Sequence, residues 1–466
     1  MKSNTAICSV LEDYMRNNGV DLQGLSQATG IDKGILSAII ERNPPQIIAI
    51  SHVDLITAVM GLPEGVLYIL YVDECFITDA PNREWVTPFL QRCAELERYD
   101  CMENILQRLG DDLSFMPELF NAAELFYQQG YTLAATLLYK CVVEGEKYQH
   151  SERVAISQYR LFKEKLGKDN RINLRVASQF DPYIHRLSVD DQLDALIDLG
   201  NVYSELHAWK RLEEITDQSE KLVGDIYKSE CETNRYDESN RKTKHPLVVY
   251  YGQVYLMKAE VYNNRKDYDQ AKEYNNRYAD LSWFKGLGEE GKACVDKFSE
   301  WSRANAYVFD LKLGKTEVLP EYVSYIENRE CEILPGLEII MTAANQYGMN
   351  VDPVLLKFED SISSSFQLES EVEGYNHQLS MDRYTILFYE VAYYYSRNSQ
   401  PERANRFLLI SLENAVRMNN KSSIILCMKL FEELRDVASR EDLHKYKTIV
   451  KGVDDDAEND IFFIDS

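Results

Sequence analysis

The chain has 466 residues, more than one hydrophobic core usually organises, and 45% of them are apolar with only 12 prolines, so helices from end to end are expected. Its 51 basic and 76 acidic side chains leave a net charge of −25, which excludes a whole-surface affinity for nucleic acid and confines any DNA contact to a local patch. No apolar run is long enough to span a bilayer, since the stretch from Gln46 to Leu62 is interrupted by His52 and Asp54. The N-terminus lacks the apolar core of a secretory signal. Nine cysteines without a C-x-x-C pair fit reduced, mostly buried thiols in a cytoplasm.

The first predicted helix runs from Thr5 to Asn17, with Ile7, Val10, Leu11 and Tyr14 on one face and Asn18-Gly19 as its stop. Asp21 to Arg42 then reads as two short helices joined at Gly30. Leu22, Leu25 and Ala28 form the apolar face of one helix; Ile35, Leu36 and Ile39 form that of the other. Gly30 suits a left-handed turn, and Asp32 can accept the free amide protons that open the second helix. This is the pattern of a helix-turn-helix, whose second helix fits the DNA major groove. Any helical hairpin in an all-α protein would read the same way. Asn43-Pro44-Pro45 breaks the chain before a fourth helix over Ser51 to Met60, which carries Val53, Leu55, Ile56 and Val59. Gly61 ends it, and Pro63 is placed to open a fifth.

Five short helices so punctuated resemble the lambda-repressor-like (XRE) DNA-binding family. The matching residues are Leu25-Ser26, Thr29-Gly30-Ile31, Leu36-Ser37, Ile39, Pro45, Gly61-Leu62-Pro63 and Leu67. The resemblance implies that Lys33, Gly34, Ser37 and Ala38 face the groove, with Arg42 and Asn43 near the phosphates. Lys33 is the leading base-reading residue, because lysine donates to the acceptor edge of guanine. Two departures stand out. Leu22 occupies a position where the family often has glutamine, and residues 1–70 hold four basic against seven acidic side chains, a net of −3. So weak a patch needs a homodimer that sets two recognition helices on two half-sites.

Residues 73–84 lose periodicity around Asp-Ala-Pro and are expected to link a helix-turn-helix domain, residues 1–72, to a long helical array over 85–450. That array shows the small, aromatic and turn positions of a 34-residue tetratricopeptide-type repeat. Ala123, Phe126, Gly130, Ala135 and Tyr139 form one copy; Ala259, Tyr262, Tyr268 and Ala271 a second; Ala392, Tyr395, Pro401 and Ala404 a third. Looser copies occur at Leu199 to Tyr203 and at Ala304 to Tyr307. Ala135 and Ala271 lie 136 positions apart, four such periods, although the copies between them are degenerate. Alanine or glycine lets two helices approach, and tyrosine fills the adjacent gap. An irregular helical bundle is the alternative. Lys228 to Pro246 reads as an exposed loop or helix extension, Val318 to Pro353 as weaker repeat, and 451–466 as an acidic tail.

No catalytic signature is present: no H-E-x-x-H, no phosphate-cradling glycine loop and no G-x-S-x-G. The seven histidines are dispersed, so neither enzyme nor metal or cofactor site is expected.

An XRE-type domain followed by such an array resembles the RRNPP family of peptide-sensing regulators of Gram-positive bacteria and their phages. The resemblance is architectural and covers nearly the whole chain. It implies a cytoplasmic homodimer, a quorum-sensing transcription regulator that binds double-stranded operator DNA and a short linear signalling peptide in the concave face of its array. In such arrays the first helix of each pair lines the inner surface. Counting from each small residue places Asn201, Glu205, Gln253, Glu260, Asn263 and Asn264 there, then Trp301, Asn305, Tyr389, Tyr393 and Arg397. Asparagine can pair with peptide backbone whatever its sequence, and the glutamates would select a basic side chain or a free amino end. The rival expectation is a Rap-like interaction scaffold that grips a partner protein and leaves DNA alone.

Overall fold

A computed structural model describes residues 6–41, 47–76, 83–110, 112–149, 151–167, 169–233, 236, 241–365, 375–418 and 420–461. Among them, all regular secondary structure is helical, and no helix is long and apolar enough to cross a membrane. The chain forms two compact units, Met1–Ala195 and Leu196–Ser466.

The first unit contains α1 (Ala6–Asn18), α2 (Leu22–Thr29), α3 (Lys33–Glu41), α4 (Ile50–Val59), α5 (Tyr68–Glu74) and α6 (Arg83–Glu95). It continues with α7 (Tyr99–Leu109), α8 (Met116–Gln129), α9 (Thr132–Gly145), α10 (Glu152–Lys165) and α11 (Asn170–Phe180). α12 (Val189–Glu205) crosses the division between units. The second unit holds α13 (Trp209–Ile226), α14 (Leu247–Asn264), α15 (Tyr268–Ala279), α16 (Glu289–Lys312), α17 (Leu319–Glu327) and α18 (Glu330–Tyr347). After them come α19 (Asp352–Lys357), α20 (Glu359–Ser365), α21 (Tyr375–Arg397), α22 (Pro401–Arg417), α23 (Lys421–Leu434) and α24 (Arg440–Ile461).

The turn between α2 and α3 follows from three side chains and one glycine. Asp21 caps α2 by accepting from the Gly24 amide at 2.7 Å, and Gly30 takes φ +71° where a Cβ would be strained. Ser26 Oγ donates to the Ile31 carbonyl at 2.6 Å, and Thr29 Oγ1 accepts from the Ile31 amide at 3.2 Å. Leu11, Leu25, Ile31, Leu36 and Ile56 then close a small core among α1 to α4. Ile7, Cys8, Ile39, Ile48, Ile50 and Val53 belong instead to a larger core that runs on through α5 to α10.

Pro63 does not open a helix. Gly65 takes φ +74°, outside helical geometry, and α5 begins only at Tyr68. Its tyrosines fasten α5 to what precedes it: Tyr71 donates to the Ile48 carbonyl and Tyr68 to Asp54, each at 2.7 Å.

Most later helices pack on their sequence neighbours, α8 on α9, α14 on α15 and α21 on α22 most extensively. The small and aromatic residues singled out in the sequence sit where those helices meet. Ala123, Phe126, Ala135 and Tyr139 are buried, as are Ala259, Ala271, Ala392, Tyr395 and Ala404. Gly130, at φ +85°, ends α8, and the Tyr131 amide donates to the Phe126 carbonyl so that α9 can fold back. In the second unit Gly200 brings α12 against Met257 of α14, and Gly252 brings α14 against the ring of Phe298 on α16. The polar stretch after Lys228 begins as a π-helical extension of α13, with Cys231 buried. Helical backbone continues through the acidic C-terminal stretch to Ile461.

Candidate functional site

α3 presents Lys33 and Gly34 exposed to solvent and Ser37 and Ala38 in part, while Leu36 and Ile39 face inward. That separation follows from helical periodicity on a nine-residue helix with one apolar face. Ile35, next to the exposed pair, is 40% exposed. At the start of α3 the Asp32 carboxylate already accepts the Gly34 amide at 2.7 Å. A negative charge therefore stands beside Lys33, where a phosphate would otherwise approach the helix end. Arg42 and Asn43 lie outside the described residues.

In the second unit a set of polar residues from alternate helices faces a common interior. Ser204 on α12 donates to Glu260 on α14 at 2.7 Å, and Lys312 on α16 donates to Asn263 on α14 at 2.8 Å. Asn345 on α18 donates to Glu390 on α21 at 2.6 Å, and Arg397 on α21 donates to the Asn345 carbonyl at 3.1 Å. Arg383, also on α21, is exposed, yet its charge acts on Glu260, Lys312 and Glu338, which lie on α14, α16 and α18.

The electrostatics describe the same interior. Burial is the largest cause lifting the carboxyls of Glu260, Glu338 and Glu390 above the usual range, and burial also pushes the Lys312 ammonium below its usual value. None of the four is fully covered: each keeps intermediate exposure. These groups are largely enclosed by protein and still touch solvent.

The sign for Glu338 is testable. A carboxyl raised by folding binds its proton more tightly when folded, so its charged form subtracts stability at neutral pH. That loss fades as pH falls through the folded pKa toward the ordinary 4.5. Glu338→Gln is expected to raise the urea midpoint at about pH 7.5 and to leave it unchanged at about pH 4. A midpoint lowered at the higher pH would mean that Arg383 and Lys312 hold Glu338 more strongly than burial penalises it.

Of the residues expected in a groove, Glu205, Glu260 and Asn263 meet this interior, the first through its charge acting on Glu260. Gln253 lies two turns before Glu260 on the same face of α14 and is partly exposed, and Asn201 and Asn264 are exposed. Tyr389 and Tyr393 stack with centroids 6.3 Å apart, and the Arg397 guanidinium lies 5.9 Å from the Tyr393 ring. Asn305 is engaged elsewhere: its Nδ2 donates to the Tyr278 hydroxyl at 2.8 Å, in a hydrogen-bond chain joining α15 and α16 through Asn275 and Ser302. Trp301 is exposed and sets its face or edge against Phe298, 5.4 Å away.

Sequence reasoning missed Lys312, Glu338, Asn345, Arg383 and Glu390. Two of them carried a signal. Glu338 is the only charged residue in the apolar run Ile333 to Gln346, and Glu390 the only one from Tyr384 to Ser396. A lone charge amid apolar helix positions is costly unless it faces a partner or a cavity.

No protein-family model, curated protein or solved structure matches the chain. Geometry and chemistry alone carry the functional reading.

Proposed function

We propose that this chain is a peptide-responsive, homodimeric DNA-binding regulator, in which α2 and α3 act as a helix-turn-helix and the second unit is a tetratricopeptide-type receptor for a short linear peptide. The observation that carries the reading is the interior shared by Ser204, Glu260, Asn263, Lys312, Asn345 and Glu390, where donors, acceptors and both charge signs stay within reach of solvent. An extended peptide offers the matching groups, with backbone amides for the asparagines and a cationic group for Glu260. At the other end of the chain, Lys33, Gly34 and Ser37 occupy one outward stripe of α3, the position from which a recognition helix reads base edges.

The test is an electrophoretic shift with DNA fragments flanking the protein's own gene, with and without pooled short peptides. Lys33→Ala combined with Ser37→Ala is expected to weaken DNA binding by at least about tenfold, since a base contact contributes roughly 1–3 kcal/mol. The thermal midpoint should hold, because Lys33 is exposed and Ser37 only partly covered. Absence of any shift, with or without peptide, would end the DNA-binding half of the proposal.

A second reading, a peptide-controlled protein-interaction scaffold, is favoured by the net charge of −3 over residues 1–70 and by Asp32 at the start of α3. Under it, regulation survives the double alanine substitution.

A further inference from the structure

A cavity of about 210 Å³ opens in the second unit between α19 and α20 on one side and α21 and α22 on the other. Leu355, Ile362, Tyr395 and Phe407 make its apolar floor, the first three buried. The rings of Tyr395 and Phe407 lie almost parallel there, 5.9 Å apart between centroids. Charged side chains stand at its edge, all exposed: Asp352 and Glu359 from α19 and α20, Arg403 and Arg406 from successive turns of α22. Asp352 accepts from the Tyr394 hydroxyl at 3.0 Å. The Arg403 guanidinium lies 5.4 Å from the Tyr395 ring, and among the described residues no ion pair holds Arg403 or Glu359. Arg403 and Glu359 therefore line one cavity with opposite charges that do not meet.

We propose that this cavity binds a free α-amino acid with a large apolar side chain, its carboxylate on Arg403 and its ammonium group on Glu359. The volume is below the roughly 300–1,000 Å³ of drug-sized pockets and suits a molecule of one residue. The floor takes the side chain, and the two near-parallel rings favour an aromatic one through stacking or edge contact. The rim carries two charges of each sign, so a ligand of either net charge meets repulsion, whereas a zwitterion is attracted at both ends. Guanidinium offers a carboxylate two parallel donors, and a carboxylate accepts from an ammonium group. The site shares no residue with the interior assigned to a peptide, so either can fail without the other.

Ligand-observed NMR titrations of the full-length protein measure the affinities. Phenylalanine is compared with hydrocinnamate, which lacks the ammonium group, and with phenethylamine, which lacks the carboxylate. N-acetylphenylalanine amide, with neither charge, stands for a residue inside a chain. Phenylalanine is expected to bind saturably below about 10 mM, and each analogue about tenfold more weakly or worse, the ratio for one charge-assisted contact. Arg403→Gln should weaken phenylalanine about tenfold without weakening phenethylamine, and Glu359→Gln should weaken it likewise without weakening hydrocinnamate. Both substituted side chains are exposed, so the fold is expected to hold. No saturable binding of phenylalanine by the wild-type protein overturns the site. Equal affinity for phenylalanine and any one analogue overturns the zwitterion, and equality with the doubly blocked amide assigns the cavity to a residue of a chain instead. Unchanged affinity in both variants places the binding elsewhere and overturns the assignment as well.

Discussion

Gly252→Val is expected to destabilise the second unit by about 3 kcal/mol or more, the upper end of overpacking costs in a close-packed core. A Cβ at this position would stand 2.5 to 2.7 Å from three atoms of the Phe298 ring. The ring cannot retreat easily: it is buried, with Tyr278 at 6.0 Å and Trp301 at 5.4 Å between centroids. Alanine would gain roughly 1 kcal/mol of helix propensity over glycine, too little to offset such a clash. Urea unfolding followed by tryptophan fluorescence measures the loss, since Trp301 reports on the same contact. Phe298→Leu should restore part of the stability of Gly252→Val while costing stability on its own. Additive effects in that double-mutant cycle would sink the account.

Leu36→Ala is expected to cost about 3 kcal/mol, within the usual range for deleting a fully buried leucine side chain. The site is severe because, among the described residues, Leu36 is one of five buried side chains at the centre of the small core among α1 to α4. Hydrogen exchange should accelerate across α2 and α3 before the rest of the first unit. Ile35→Ala, one position earlier on the exposed face, should change stability by no more than about 0.5 kcal/mol. If both variants lost the same stability, the inward and outward faces of α3 would be misassigned. Together they also separate folding from binding: a weakened DNA shift in Ile35→Ala with an unchanged midpoint would add Ile35 to the recognition stripe beside Lys33.

The sequence was most legible where a structural cause is local. Gly30 and Asp32 punctuate and cap their helices through a positive φ and through a bond to an amide two residues away, so residue type alone placed them; the Asp21 cap of α2 emerged only with the structure. Spacing placed Leu25, Leu36 and Ile39 inward, as it did the buried alanines of the helix pairs, but Ala28 and Ile35, counted on the same apolar faces, are exposed, because helices this short bury only a narrow stripe. Pro63 shows where this reading fails: proline permits a first helical turn, but Gly65 two residues later turns the backbone away. Asn305 shows another limit. Its position on α16 was countable, whereas the Tyr278 hydroxyl that engages it comes from another helix.

By itself, then, the sequence determined helical class, the approximate course of the helices and the α2–α3 turn. Each of these is set by interactions within a few turns of backbone. Only the tertiary structure brought Glu338, Glu390 and Lys312 into the same partly enclosed region as Glu260, where burial lifts the three carboxyls and lowers the ammonium. The physical reason is that desolvation and charge act through space: side chains on α14, α16, α18 and α21 meet only once the helices between them have packed.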